Sequence, residues 1–180
     1  MQNYFLAKPE VRKAISYSID KNNIVSSVYG NKYYTSSFPL DYGSWVYQEQ
    51  EVSSGYNLEQ AKQILVDNGW IFRNKTWRKT ENYKTQSIAL NLIIKASNAN
   101  HKAVAQNIKT QLANQGIIIN IQEYSDDQYY NAINNKAYDM ILCSVNLSPN
   151  PDMTMFFGDN NLANYYSDEI SKIMDEVKNT

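Results

Sequence analysis

Ile88, Leu90, Leu92 and Ile94 recur at every second position, which is the period of a β-strand. The next hydrophobic positions, Val104, Ile108 and Leu112, follow the helical period. A near-continuous β-branched run at residues 117–121 then predicts a second strand, buried on both faces. The middle of the chain is therefore expected to contain a strand, a helix and a strand in succession.

A second helix and a third strand complete this pattern. Ser125 and Gln128 have the spacing of a capping box and predict a helix start, and residues 140–145 predict a strand that contains Cys143. Strands that alternate with helices through short connections favour a parallel sheet covered by helices. The predicted fold class is α/β, with a mainly parallel sheet and flanking helices.

The rest of the chain adds helices and one hairpin. Helix starts are predicted at Pro9, Asp20, Asn57 and Ser167, and a hairpin is predicted around Asn74 and Lys75. Residues 31–55 follow no regular period and predict a long irregular segment.

Composition narrows the classes of protein. The chain has 180 residues and a formal net charge of -1, so it lacks the basic surface typical of nucleic-acid binding. One cysteine and one histidine exclude an internal disulfide and a Cys/His metal cluster, and no cofactor is predicted. No apolar run has the length of a membrane span, and residues 1–10 lack the features of a signal peptide. Residues 1–180 are predicted to form one α/β lobe.

The sequence matches none of the catalytic motifs tested. The glycines match neither a phosphate-binding loop nor a nucleophile elbow, so no enzyme activity is predicted. A hydrolase that pairs Cys143 with His101 is an alternative, although a small buried side chain is the favoured interpretation of the cysteine. Asp126 and Asp127 are interpreted as acidic residues that stabilise a helix start. A pure interaction domain is a further alternative.

Ligands of open parallel sheets bind beyond the carboxyl ends of the strands. Two predicted loops lie there. The first, residues 97–101, supplies Ser97, Asn98, Asn100 and His101, and the second, residues 146–152, supplies Asn146, Ser148 and Asn150. Helix capping and turn formation are the alternative roles of the loop residues. For His101 the alternative is solvent exposure near a helix start.

The order of motifs resembles the carboxy-terminal lobe of the extracellular solute-binding proteins, family 5, of peptide ABC transporters, the oligopeptide- and dipeptide-binding type. The resemblance lies in five segments, which are PEVRKAISYSIDKNNIV, FPLDYGSWVY, YNLEQAKQILVDNGW, VAQNIKTQLANQGIIINIQEY and YDMILCSVNLSPNPD. Together they span nearly the whole chain.

This resemblance implies a periplasmic-binding-protein-like (class II) lobe, which is a fragment of a larger two-lobed protein. The implied function is the substrate-binding component of a peptide-type ABC importer, without catalysis. Its implied partners are an oligopeptide ligand, the missing amino-terminal lobe and the ABC permease subunits. The implied location is extracellular, either anchored as a lipoprotein or periplasmic.

The resemblance also implies site residues. His101 is similar in position to a helix-start residue of the peptide pocket, and the segment from Val145 to Ser148 is similar to a pocket loop. Val145 stands where tryptophan is common, and Ser148, or Leu147 in another register, stands where peptide binders place a carboxylate. Asp152 is a possible substitute for that carboxylate. A receptor for nickel chelates or oligosaccharides is the alternative within the family.

Overall fold

The computed structural model describes residues 3–36, 38–41, 43–45, 47, 55–147 and 152–178. The chain divides into two compact units. The first unit contains residues 1–35 and 52–143, and the second contains residues 36–51 and 144–180. The prediction that residues 1–180 form one lobe stays a prediction.

Three helices open the first unit, and each begins where the sequence predicts. They are α1 (Pro9–Ser18), α2 (Lys21–Tyr29) and α3 (Leu58–Asp67). Asp20 and Asn57 cap the second and third helices by accepting hydrogen bonds from backbone N–H groups of the first turn. Val11 and Ala14 of α1 belong to the same buried cluster as Ala61 and Leu65 of α3, so these two helices pack against each other.

A three-stranded antiparallel sheet follows α3. Its strands are β1 (Ile71–Arg73), β2 (Thr76–Glu81) and β3 (Lys84–Ser87), in that order across the sheet. The hairpin between β1 and β2 turns at Asn74 and Lys75, as predicted, and both residues have positive φ. Strand β3 was not predicted, because its sequence, KTQS, has no hydrophobic position to reveal a period.

The parallel sheet has three strands, β4 (Ala89–Lys95), β5 (Ile118–Tyr124) and β6 (Met140–Ile141). Strand β4 lies in the centre and pairs with both neighbours in parallel. Helix α4 (Ala99–Asn114) connects β4 to β5, and helix α5 (Asp126–Asn134) connects β5 to β6. The predicted strand and helix order, and with it the α/β class, is confirmed.

Two details of the predicted sheet are wrong. Strand β5 is not buried on both faces, because Ile117 and Ile119 lie in the core while Ile118 is exposed. Among the described strands it lies at the edge of the sheet, and one of its faces meets the buried cluster. The third strand ends at Ile141, so Cys143 follows the strand and is half-buried.

The turn after α4, at Gln115 and Gly116, packs closely against the antiparallel sheet. Gly116 has a φ of 78°, and a Cβ there would overlap a ring carbon of Phe72 on β1. Next to it, the indole Nε1 of Trp77 donates to the Gln115 carbonyl at 2.7 Å. The turn after α4 therefore holds the antiparallel sheet against the main core.

The described part of the second unit contains helices α6 (Thr154–Phe157) and α7 (Asp168–Lys178). The buried Asn161 organises the chain between them, since its Nδ2 group donates to the carbonyls of Gly158 and Tyr165. Among the residues that the structure describes, none of the helices has both the length and the apolar character of a membrane span.

Candidate functional site

The carboxyl ends of β4 and β5 lie side by side. Lys95, the last residue of β4, is paired in register with Tyr124, the last residue of β5. The backbone N–H of Ala96 donates to the Tyr124 carbonyl at 2.8 Å, so this pairing continues beyond the strands. The turns that lead into α4 and α5 therefore start from neighbouring points of one sheet edge, which we call the carboxyl edge.

The structure brings Asn98, Asn100 and His101 together in the turn at the start of α4. Asn98 is half-buried, and its Oδ1 accepts a hydrogen bond from the His101 backbone N–H at 3.0 Å. Asn100 is exposed. His101 is buried with 6% of its surface accessible, so the alternative of a solvent-exposed His101 is wrong. The capping role of Asn98 is thus visible, while contact of the three residues with a ligand stays a prediction.

The environment of His101 favours a neutral imidazole. Burial lowers the pKa of His101 below its usual value, and the positive charge of Lys95 lowers it further. Near neutral pH the ring therefore carries one N–H donor and one acceptor nitrogen. Such a ring can hydrogen-bond to an amide or coordinate a metal without the cost of losing a proton.

A charged cluster at the carboxyl edge was missed by the sequence interpretation. The Lys95 ammonium lies 2.9 Å from Asp126 Oδ2, and Ser97 Oγ donates to Asp126 Oδ1 at 2.9 Å. The Lys95 ammonium also lies 4.9 Å from the centre of the Tyr130 ring. For Asp126 the sequence predicts only helix stabilisation. The parallel order of β4 and β5 was the available signal, because it places the residues that follow both strands next to each other.

The Cys143 thiol is half-buried. Burial raises the pKa of Cys143, which reduces the thiolate fraction that nucleophilic attack requires. Nearby, Tyr129 donates from its hydroxyl to the Leu142 carbonyl at 2.8 Å, and burial, as the main cause, raises the pKa of Tyr129 to about 12. This environment disfavours the hydrolase alternative.

The remaining predicted site residues belong to the second unit. Val145 and Leu147 are half-buried, and Asn146 is exposed, all in a segment without regular secondary structure. Ser148 lies outside the described residues. Asp152, the proposed substitute carboxylate, is exposed and accepts a hydrogen bond from the Thr154 backbone N–H at 2.9 Å, next to the start of α6.

Comparison with known sequences identifies the family. Residues 1–166 match the family described as bacterial extracellular solute-binding proteins, family 5 Middle. This chain belongs to that family of solute-binding proteins. Heme-binding protein A of Haemophilus influenzae is 29% identical over 122 residues, which are 67% of this chain and 20% of that protein.

Solved structures with the same fold carry several kinds of ligand. The oligopeptide-binding protein AppA of Bacillus subtilis, in complex with a nonapeptide, superimposes with a TM-score of 0.88 at 23% identity, over 99% of this chain and 37% of AppA. NikZ of Campylobacter jejuni, in complex with Ni(L-His), superimposes with a TM-score of 0.83 at 17% identity, over 99% of this chain and 37% of NikZ. A mannohexaose-bound oligopeptide-binding protein of Thermotoga maritima superimposes with a TM-score of 0.81 at 20% identity, over 99% of this chain and 37% of that protein.

These comparisons confirm the predicted family and the periplasmic-binding-protein-like fold. The chain spans about a third of the length of the solved relatives and a fifth of heme-binding protein A. The family is one of solute binding and not of catalysis. The ligand-binding roles of individual residues stay predictions.

Proposed function

We propose that this chain is part of the substrate-binding component of a peptide-type ABC importer. The full-length protein captures extracellular oligopeptides between two lobes and delivers them to the permease. The family match over residues 1–166 is the observation that carries this proposal. Capture is reversible, and the lobes close on the ligand by a hinge motion.

The chemistry of the carboxyl edge fits an extended peptide. Asn98, Asn100 and a neutral His101 are uncharged hydrogen-bonding groups, which suit the amide groups of a ligand backbone. Amide groups are common to all peptides, so such a surface accepts many sequences. Water molecules complete the contacts where ligand side chains differ in size.

The location and the remaining partners follow from the same proposal. The protein acts outside the cytoplasmic membrane, either as a lipid-anchored surface protein or in a periplasm. An amino-terminal lobe supplies the other side of the cleft, so this chain alone binds peptides more weakly than the two-lobed protein.

A metal chelate is the second candidate ligand. The neutral imidazole of His101 supports it, because a metal coordinates to the unprotonated nitrogen. NikZ, with Ni(L-His), and heme-binding protein A are also similar to this chain. Within the described residues there is no group of three or more His, Cys, Asp or Glu side chains able to hold a bare metal ion. A chelate that brings its own ligands therefore fits better than the free ion.

An oligosaccharide is the third candidate. Its support is Trp45, whose side chain is 84% exposed and offers a flat surface for stacking on a sugar ring. The mannohexaose-bound relative from Thermotoga maritima binds such a ligand.

A thermal-shift screen separates these ligands. Di- to octapeptides, free and amino-terminally acetylated, are compared with nickel-histidine, heme and mannohexaose on this chain and on the full-length protein. A ligand that binds the native state raises its melting temperature by mass action. We expect shifts with peptides. If only nickel-histidine, heme or mannohexaose raises the melting temperature, that compound replaces the peptide as the proposed ligand. If no compound raises it, the result contradicts solute binding at this site.

A further inference from the structure

Asp126 joins two connections of the parallel sheet that are separate in sequence. It is the first residue of α5, after β5, whereas its partners Lys95 and Ser97 lie at the end of β4 and in the turn that follows. One carboxylate oxygen contacts the Lys95 ammonium and the other accepts from the Ser97 hydroxyl, both at 2.9 Å. Since each oxygen has a different partner, the carboxylate restrains the turn at two points.

Lys95 is held by more than the carboxylate. Its ammonium lies 3.4 Å from the Tyr130 hydroxyl and 4.9 Å from the centre of the same ring. Both Asp126 and Tyr130 belong to α5, so helix α5 holds the end of β4 through two side chains. The Lys95 side chain is only 22% exposed, which limits the alternative positions open to it.

Short contacts connect this cluster to the candidate site. The backbone N–H of Asn98 donates to the Lys95 carbonyl at 3.1 Å, and the Asn98 side chain accepts from the His101 backbone N–H at 3.0 Å. A shift of Lys95 or Ser97 would therefore move the cap and the first turn of α4. Hydrogen bonds from Lys95, the main cause, and from Ser97 lower the pKa of Asp126, so the ion pair persists through neutral pH.

We propose that Asp126 is a positioning residue, which fixes the turn from Lys95 to His101 in the geometry that receives the ligand. This inference rests on the proposed function and adds a residue from α5 to a site built on the start of α4. Asp126 acts through its contacts with Lys95 and Ser97 and does not touch the ligand.

The adjacent residue provides a matched control. Asp127 is also in the first turn of α5, so its loss has a similar effect on the helix macrodipole. In the part of the chain that the structure describes, its carboxylate makes no hydrogen bond or ion pair. Asp126→Ala and Asp127→Ala therefore differ in the contacts to the turn and not in charge.

The first readout needs no ligand. His101 is the single histidine of the chain, so its imidazole gives one set of NMR signals. We expect Asp126→Ala to shift and broaden these signals, Asp127→Ala to leave them as in the wild type, and Asp126→Glu to restore them in part. Identical His101 signals in the wild type and in Asp126→Ala would overturn the inference.

The second readout measures binding of a pool of unmodified nonapeptides to the same variants. We expect Asp126→Ala to bind about two- to fivefold more weakly than Asp127→Ala, as a partly exposed ion pair allows. Equal affinities would overturn the positioning role. If the wild type binds no peptide while the His101 signals respond as expected, the proposed function fails and the positioning of the turn stands.

Discussion

Two carboxylates of the first unit, Glu81 and Asp126, form ion pairs with lysine side chains. Glu81 lies at the end of a strand and Asp126 at the start of a helix, and they join different parts of the fold. Glu81, at the end of β2, contacts the Tyr4 hydroxyl, the Lys8 ammonium at 3.0 Å and the Lys79 ammonium at 3.1 Å. Hydrogen bonds from these three groups, first of all from Tyr4, lower the pKa of Glu81 to about 2. This cluster fastens the segment before α1 to the antiparallel sheet.

Asp126 uses similar chemistry at another place. It binds one ammonium and one hydroxyl, from Lys95 and Ser97, at the carboxyl edge of the parallel sheet. A parallel sheet brings the turns before its helices to one edge, while an antiparallel hairpin sends its chain directly back. Similar ion pairs therefore join the segment before α1 to the antiparallel sheet in the first case and, as we propose, fix a binding geometry in the second.

The antiparallel sheet stabilises the first unit through Trp77, and removal of this side chain should have the largest effect on stability. Trp77→Ala should lower the free energy of unfolding by about 3–5 kcal/mol, because a buried indole and its hydrogen bond to the Gln115 carbonyl are lost. Tyr83→Ala, in the fully exposed turn of the same sheet, should change it by less than about 0.5 kcal/mol. Chemical denaturation measures both, and equal losses would mean that the sheet is not anchored through Trp77.

The contact between the sheets can be tested at two glycines with the same φ of 78°. Gly69→Ala should cost about 1–2 kcal/mol from backbone strain alone, because the nearest neighbour of the new Cβ is 3.8 Å away. Gly116→Ala should cost about 1–3 kcal/mol more, because its Cβ overlaps the Phe72 ring. Equal losses in denaturation experiments would show that Phe72 moves aside freely.

The Glu81 cluster predicts a defined pH dependence. The folded-state pKa of Glu81 is about 2 and its ordinary value is 4.5, so its contribution is complete above about 4.5 and is lost as the pH falls toward 2. The melting temperature of Glu81→Gln should lie below that of the wild type at neutral pH, and the difference should shrink across this acidic window. A difference that stays constant with pH would contradict the cluster.

At the carboxyl edge, removal of the Lys95 charge should have a smaller effect, on the pKa of His101. Lys95→Met should raise the pKa of His101 toward its usual value, because a nearby positive charge is removed. The control is Lys102→Met, since Lys102 is adjacent in sequence but pairs with Glu123 at 2.7 Å. NMR titration of the imidazole measures both, and an unchanged His101 pKa in Lys95→Met would refute the electrostatic link.

The sequence predicts elements where local chemistry is decisive. The alternation in β4, the caps at Asp20 and Asn57 and the capping box at Ser125 are local signals, and each marks an element that the structure contains. Strand β3 has no such signal. Its polar residues are held by pairing with β2, which a single-sequence pattern does not record.

The candidate site follows the same division. The positions of Asn98 and His101 at the start of α4 could be predicted, because capping is local. The Glu81 cluster joins residues 77 positions apart, so no sequence spacing indicates it. The Asp126 cluster is intermediate, because the sequence predicts the parallel order of β4 and β5, whereas the contacts of Asp126 with Lys95 and Ser97 depend on side-chain geometry that no sequence spacing records.

The most direct test of peptide binding at the carboxyl edge is an NMR titration of the isotope-labelled chain with unmodified penta- and nonapeptides. We predict that the backbone signals of Lys95, Asn98 and His101 shift in proportion to the bound fraction, while those of residues 76–87 in the antiparallel sheet do not. Shifts confined to the antiparallel sheet, or no shifts at peptide concentrations that stabilise the full-length protein, would contradict the account.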